Sequence, residues 1–123
     1  MLTFGLKKVW FEKFLSGEKT HEYREVKPYW GKRLMKYIML SKEDIKHVDF
    51  FLEGLKLKLA FVNLNIPCKL TLGQAPSKKD KSKRIFARIK SIRIINGLDS
   101  DLKIDKPVYD IELKLIGVNR GKN

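Results

Sequence analysis

At 123 residues, 43% hydrophobic and 33% charged, the chain suits one folded domain and is too apolar to be disordered. No apolar run nears the ~20 residues that span a bilayer. Met1 to Lys8 lacks a signal-peptide pattern, and the single cysteine, Cys68, permits neither an internal disulfide nor a cysteine metal cluster. A net charge of +13 points to an anionic partner in the cytoplasm, nucleic acid foremost.

Thr3 to Lys7 is short and β-compatible. From Lys8 onward Val9, Trp10, Phe11, Phe14 and Leu15 recur at helical spacing, and Gly17 ends that helix as a left-handed cap. Trp10 and Phe14, one turn apart, are expected in the core. Thr20 to Arg24 reads as a strand. Pro28 and Gly31 bracket Tyr29 and Trp30, which predicts a turn or short helix running on through Leu34. Ser41 with Asp44 resembles a capping box, and Ile45, Val48, Phe51 and Leu52 predict a helix ending near Gly54, with His47 on its polar side.

Leu55 to Leu64 alternates as a half-buried strand does. Pro67 is expected to interrupt, and Gly73 to Pro76 to form a loop. Arg84 to Ile95 is the longest strand pattern, followed by the turn signal Asn96-Gly97. The last strand is predicted from Val108 to Ile116, with Val108, Asp110, Glu112 and Lys114 outward and Tyr109, Ile111, Leu113 and Leu115 inward. Residues 117–123 are read as a polar, frayed tail, leaving a single domain over 1–116. The resulting fold class is mainly β (α+β), a small, partly open β-barrel of five to six strands with two or three covering helices. An exposed barrel strand could pair with a copy of itself, so the oligomeric state is left open.

The charge is uneven. Between Ser77 and Arg93 lie eight basic residues and one acid, Asp80, which gives +7 of the total +13 in seventeen residues. Ser77 to Lys83 has no apolar residue and reads as a mobile loop carrying Lys78, Lys79, Lys81 and Lys83. Arg84 and Arg88 follow, Arg88 and Lys90 alternating with apolar residues on one face of a strand. Lysines outnumber arginines 21 to 6, so a merely basic surface set by genome composition competes with phosphate binding.

The most informative stretch is Gly17-Glu18-Lys19-Thr20-His21-Glu22-Tyr23-Arg24. Two residues apart on an extended segment, Glu22 and Arg24 aim at one face, and Lys19 stands at the turn entering it. Lys19 can act as a nucleophile, hold a phosphate or carbonyl oxygen, or close an ion pair. Glu22 and Arg24 can contact a ligand or form a structural ion network. His21, on the opposite face and without evident partners, reads as a surface residue. Tyr23, Tyr29 and Trp30 can stack a base or anchor packing. No metal site and no cofactor are expected.

The same eight residues fit the Gly-x-Lys-x-x-Glu-x-Arg signature of the ASCH family, which this chain resembles from about residue 3 to 115. Trp10 to Ser16 looks like that family's first helix, Lys27-Pro28-Tyr29-Trp30 like a segment of some members, and Ala87 to Ile92 and Pro107 to Ile111 like its closing strands. The resemblance implies a β-barrel related to the PUA fold, with Lys19, Glu22 and Arg24 in a cleft that binds RNA or a nucleotide or nucleoside ligand. It also implies an alternative, since some small members are amidohydrolases of acetylated cytidine. Lys19 stands where their catalytic lysine would, with Glu22 in place of their threonine. If the chain were such an enzyme, Lys19 and Glu22 would be its catalytic pair.

Overall fold

The computed structural model describes residues 1–40, 48–53, 56–73 and 83–120. Within them the chain runs β1 (Leu2–Leu6), α1 (Lys8–Ser16), β2 (His21–Glu25), α2 (Pro28–Leu40), β3 (Val48–Glu53), β4 (Lys56–Phe61), β5 (Ile66–Leu72), β6 (Lys83–Asn96), a 3-10 turn (Gly97–Asp99) and β7 (Pro107–Arg120). The class is the expected one, α+β and dominated by strands. The hydrogen-bonded order is β1-β5-β6-β4-β3, with β7 pairing both β6 and β2. A strand has two edges, so β6, with three partners, must share one edge between two of them. β4 takes the end at Ile92 and Arg93.

Contacts divide the chain into two units. The first gathers Met1–Thr20 with the described parts of Pro67–Arg88 and Leu113–Asn123. Here β1 runs parallel to β5, from Leu2 opposite Cys68 to Leu6 opposite Leu72. Leu2, Phe4, Cys68, Leu70 and Ile85 are fully buried, and α1 adds Phe11 and Phe14. Each such Leu or Phe contributes about 1.5–3 kcal/mol of burial. Gly17 ends α1 at φ 83°, its N–H donating to the Phe14 carbonyl, as the sequence predicts. Trp10 is half-buried rather than a core residue.

The second unit holds the described parts of His21–Ile66 and Ile89–Glu112. β2 lies antiparallel to β7, with His21 opposite Glu112 and Tyr23 opposite Asp110. α2 opens with Pro28 at its first position, where a missing N–H costs nothing. It outruns the expected end at Leu34 because Leu34 and Ile38, one turn apart, are both buried. Its fourth residue, Gly31, lies close to β7: a Cβ there would stand 3.0 Å from the Tyr109 hydroxyl.

Four expectations are corrected. Val48–Glu53 is a strand paired with β4, from Val48 opposite Phe61 to Glu53 opposite Lys56, and not the end of a helix. Short segments rich in apolar residues do not separate helix from strand by spacing, and the β-prone Val48, Phe50 and Phe51 have a pairing partner that begins three residues beyond Glu53, at Lys56. The capping box at Ser41 and His47 lie outside the described residues. Pro67 does not interrupt a strand but stands inside β5, just before Cys68, the first residue of that strand paired to β1. β7 continues to Arg120, so residues 117–120 belong to a strand rather than a frayed tail. Finally, Val108 and Asp110 are buried, not outward.

Asn96-Gly97 makes a turn, though a 3-10 one. The Asn96 side chain accepts from the Leu98 N–H, and Gly97 N–H donates to the Lys106 carbonyl at 2.7 Å, closing the loop that leads into β7.

Candidate functional site

The alternation of β2 sorts its side chains into two sets, Glu22 and Arg24 on one face, His21 and Tyr23 on the other. On the first face Arg24 Nη2 donates to Glu22 Oε2 at 2.9 Å, while Glu22 Oε1 accepts from the Tyr23 N–H at 3.0 Å. Glu22 is 6% exposed. A carboxylate engaged through both oxygens fixes the guanidinium two residues on, and that guanidinium lies over Trp30 of α2, 4.8 Å from the ring centroid.

Trp30 has a second cationic neighbour. Arg33, one helical turn further on, stands 5.8 Å from the Trp30 centroid and 5.3 Å from that of Tyr29. Its Nε is buried and has no hydrogen-bond partner among the described residues. Tyr29 meets Trp30 edge-on at 5.2 Å and is 61% exposed, so it presents a phenol ring to solvent. The sequence singles out Glu22, Arg24, Tyr29 and Trp30, and the structure brings these four together. It adds Arg33, which the spacing Tyr29, Trp30, Arg33 on a longer α2 would have revealed.

Lys19 is placed by α1. Its N–H reaches back to the Lys13 carbonyl at 3.2 Å past the Gly17 cap. The ammonium then lies 5.1 Å from the Trp10 centroid and 5.5 Å from that of Phe14, with the residue 9% exposed. Lys13 approaches the same indole at 5.2 Å. Lys19 is therefore a lysine packed on aromatic rings.

Of the basic stretch, Lys78, Lys79 and Lys81 lie outside the described residues. Lys83 opens β6 and helps line a pocket of about 200 Å³ with Lys8, Phe11, Leu15 and Leu72. Arg84 and Arg88 are half-buried along β6. Cys68 is buried, which pushes its thiol up to about 12, as befits an unreactive core residue.

No family model, curated protein or solved structure matches the chain. Among those described, no helix is long and apolar enough to cross a membrane, and no three His, Cys, Asp or Glu side chains group as metal ligands would.

The other face of β2 departs from expectation. His21 is not alone: its Nδ1 lies 2.5 Å from Asp110 Oδ1. The second Asp110 oxygen accepts from Arg93 Nε at 2.7 Å. Asp110 is 2% exposed because these neighbours, on the strands either side, cover it and satisfy both oxygens. One register step along, Ser91 Oγ donates to Glu112 Oε1 at 3.1 Å. Burial raises the Tyr23 hydroxyl above the usual tyrosine range, with Asp110 adding to the effect. Asp110, Arg93 and Glu112 were missed, since no local pattern foretells which strands become neighbours.

Proposed function

We propose that this chain binds RNA or a nucleotide through Arg24, Trp30, Tyr29 and Arg33. The observation that carries this reading is that two guanidinium groups attend one indole, Arg24 at 4.8 Å and Arg33 at 5.8 Å. Exposed aromatic surface suits base stacking, and forked donors suit phosphate or a base edge. The resemblance of Gly17–Arg24 to the ASCH signature supports the same ligand class. The net charge of +13 supplies long-range attraction for a phosphate backbone, to which Lys19, Lys83, Arg84 and Arg88 contribute.

Binding is favoured over amide hydrolysis by the state of Glu22. A carboxylate committed to Arg24 and to the Tyr23 N–H serves to position the arginine and is poorly placed to carry protons.

Anisotropy of a labelled single-stranded RNA tests the reading. Arg24→Ala and Trp30→Ala should each weaken binding about tenfold, the loss of one cation–π and stacking contact. Unchanged affinity in both variants would remove these residues from the interface.

A further inference from the structure

We propose that the opposite face of β2, together with β6 and β7, is a second site that cleaves the RNA backbone by transesterification. Glu112 is its base, His21 its acid and Arg93 its phosphate ligand. With the proposed binding function it shares only the choice of RNA as ligand.

Three side chains on this face repeat one arrangement. His21 spends Nδ1 on Asp110, Arg93 spends Nε on the same carboxylate, and Glu112 spends Oε1 on Ser91. Among the described residues nothing engages His21 Nε2, the terminal amines of Arg93 or Glu112 Oε2. Each group is thus tied to the sheet by one polar atom, with the chemically useful atom left over. The buried Asp110 fixes His21 and Arg93, while Ser91 ties Glu112 at the surface, and partners that fix orientation in this way are what an acid–base site requires. The His21 side chain is 34% exposed and that of Arg93 49%, so both are accessible to a ligand while Asp110 beneath them is not.

The register sets the spacing. His21 and Glu112 are directly opposed across β2 and β7, which places their Cβ atoms about 5 Å apart. Two side chains rising from such a pair can stand on either side of a phosphate. Arg93, on the far side of β7, supplies positive charge for the equatorial oxygens.

The chemistry balances without a co-reactant. The ribose 2′-oxygen attacks the adjacent phosphorus as its proton passes to the Glu112 carboxylate. The bond from phosphorus to the 5′-oxygen breaks, and the leaving oxygen takes a proton from His21 Nε2. The products are a 2′,3′-cyclic phosphate and a free 5′-hydroxyl. Asp110 is a positioning residue that holds the imidazole and balances its charge.

The test is incubation of the full chain with the dinucleotide uridylyl-adenosine in excess EDTA, following the cyclic phosphate by chromatography. Wild type should cleave it and leave the 2′-deoxy analogue intact. His21→Asn keeps a donor toward Asp110 and Glu112→Gln keeps an acceptor for Ser91, yet each should slow cleavage by about 100-fold or more. If His21→Asn does not fold, Glu112→Gln, an exposed site, decides alone. No cleavage by wild type, equal rates in the folded variants, or cleavage of the deoxy analogue would overturn the proposal. RNA affinity at Arg24 and Trp30 is read separately by anisotropy, so either reading can fail without the other.

Discussion

Arg93 donates through Nε to Asp110 Oδ2 at 2.7 Å, a contact between adjacent strands in which the acid is buried and the base is half in solvent. The pair is therefore asymmetric. Removing Arg93 lets water approach a carboxylate that His21 still partners, whereas removing the Asp110 charge strips two partners at once.

Asp110→Asn should cost about 1.5–3 kcal/mol, the range for hydrogen bonds to charged groups, with partial exposure of both partners favouring the lower end. Arg93→Gln should cost less. Urea denaturation of the two variants checks the order, and equal losses would contradict it.

A second expectation concerns alkaline pH. The Tyr23 hydroxyl is raised in the folded state, first by burial and then by Asp110, so folding disfavours its phenolate. Above the usual tyrosine range the unfolded chain binds fewer protons than the native one, and stability must fall as pH rises. Below that range the contribution is complete. Cys68 acts with the same sign. Tyr23→Phe should flatten part of the loss in melting temperature at alkaline pH, and a fall as steep as wild type would exclude Tyr23 as a cause.

Local signals in the sequence reach a definite distance. Apolar spacing with a terminal glycine suffices for α1, and alternation suffices for β6, because neither depends on distant residues. The Glu22–Arg24 pair was legible for the same reason, as both stand on one short strand. Val48–Glu53 was misread because a six-residue segment with only four apolar residues fits both periods and its pairing with β4 decides. Asp110 was misread because alternation alone assigns it to solvent. Its burial follows from His21 and Arg93, 89 and 17 residues away in sequence.

Two glycines should respond differently to alanine. Gly17 has φ 83° and nothing within 4 Å of an added Cβ, so Gly17→Ala should cost only the left-handed strain, about 1–2 kcal/mol. At Gly97 an added Cβ would lie 2.5 Å from the Ile104 carbonyl oxygen and 2.8 Å from that of Lys106, both backbone atoms. Gly97→Ala should therefore be the more destabilising change, by thermal melts of the two variants side by side.

Binding of RNA should weaken steeply between 50 and 200 mM salt, since each neutralised phosphate releases counterions. Joint replacement of Lys78, Lys79, Lys81 and Lys83 by Gln should lower affinity about equally for all sequences and flatten the salt slope. Arg24→Ala should change which sequences bind best. Competition among homopolymers at two salt concentrations separates these outcomes.

Cys68 stands on β5 directly opposite Leu2 of β1, sealed from solvent and alone of its kind in the chain. A thiol-directed dye can reach it only when β1 lifts away or the whole unit opens. Labelling kinetics therefore offer a native, single-position clock for breathing at the amino-terminal strand, with no engineered probe.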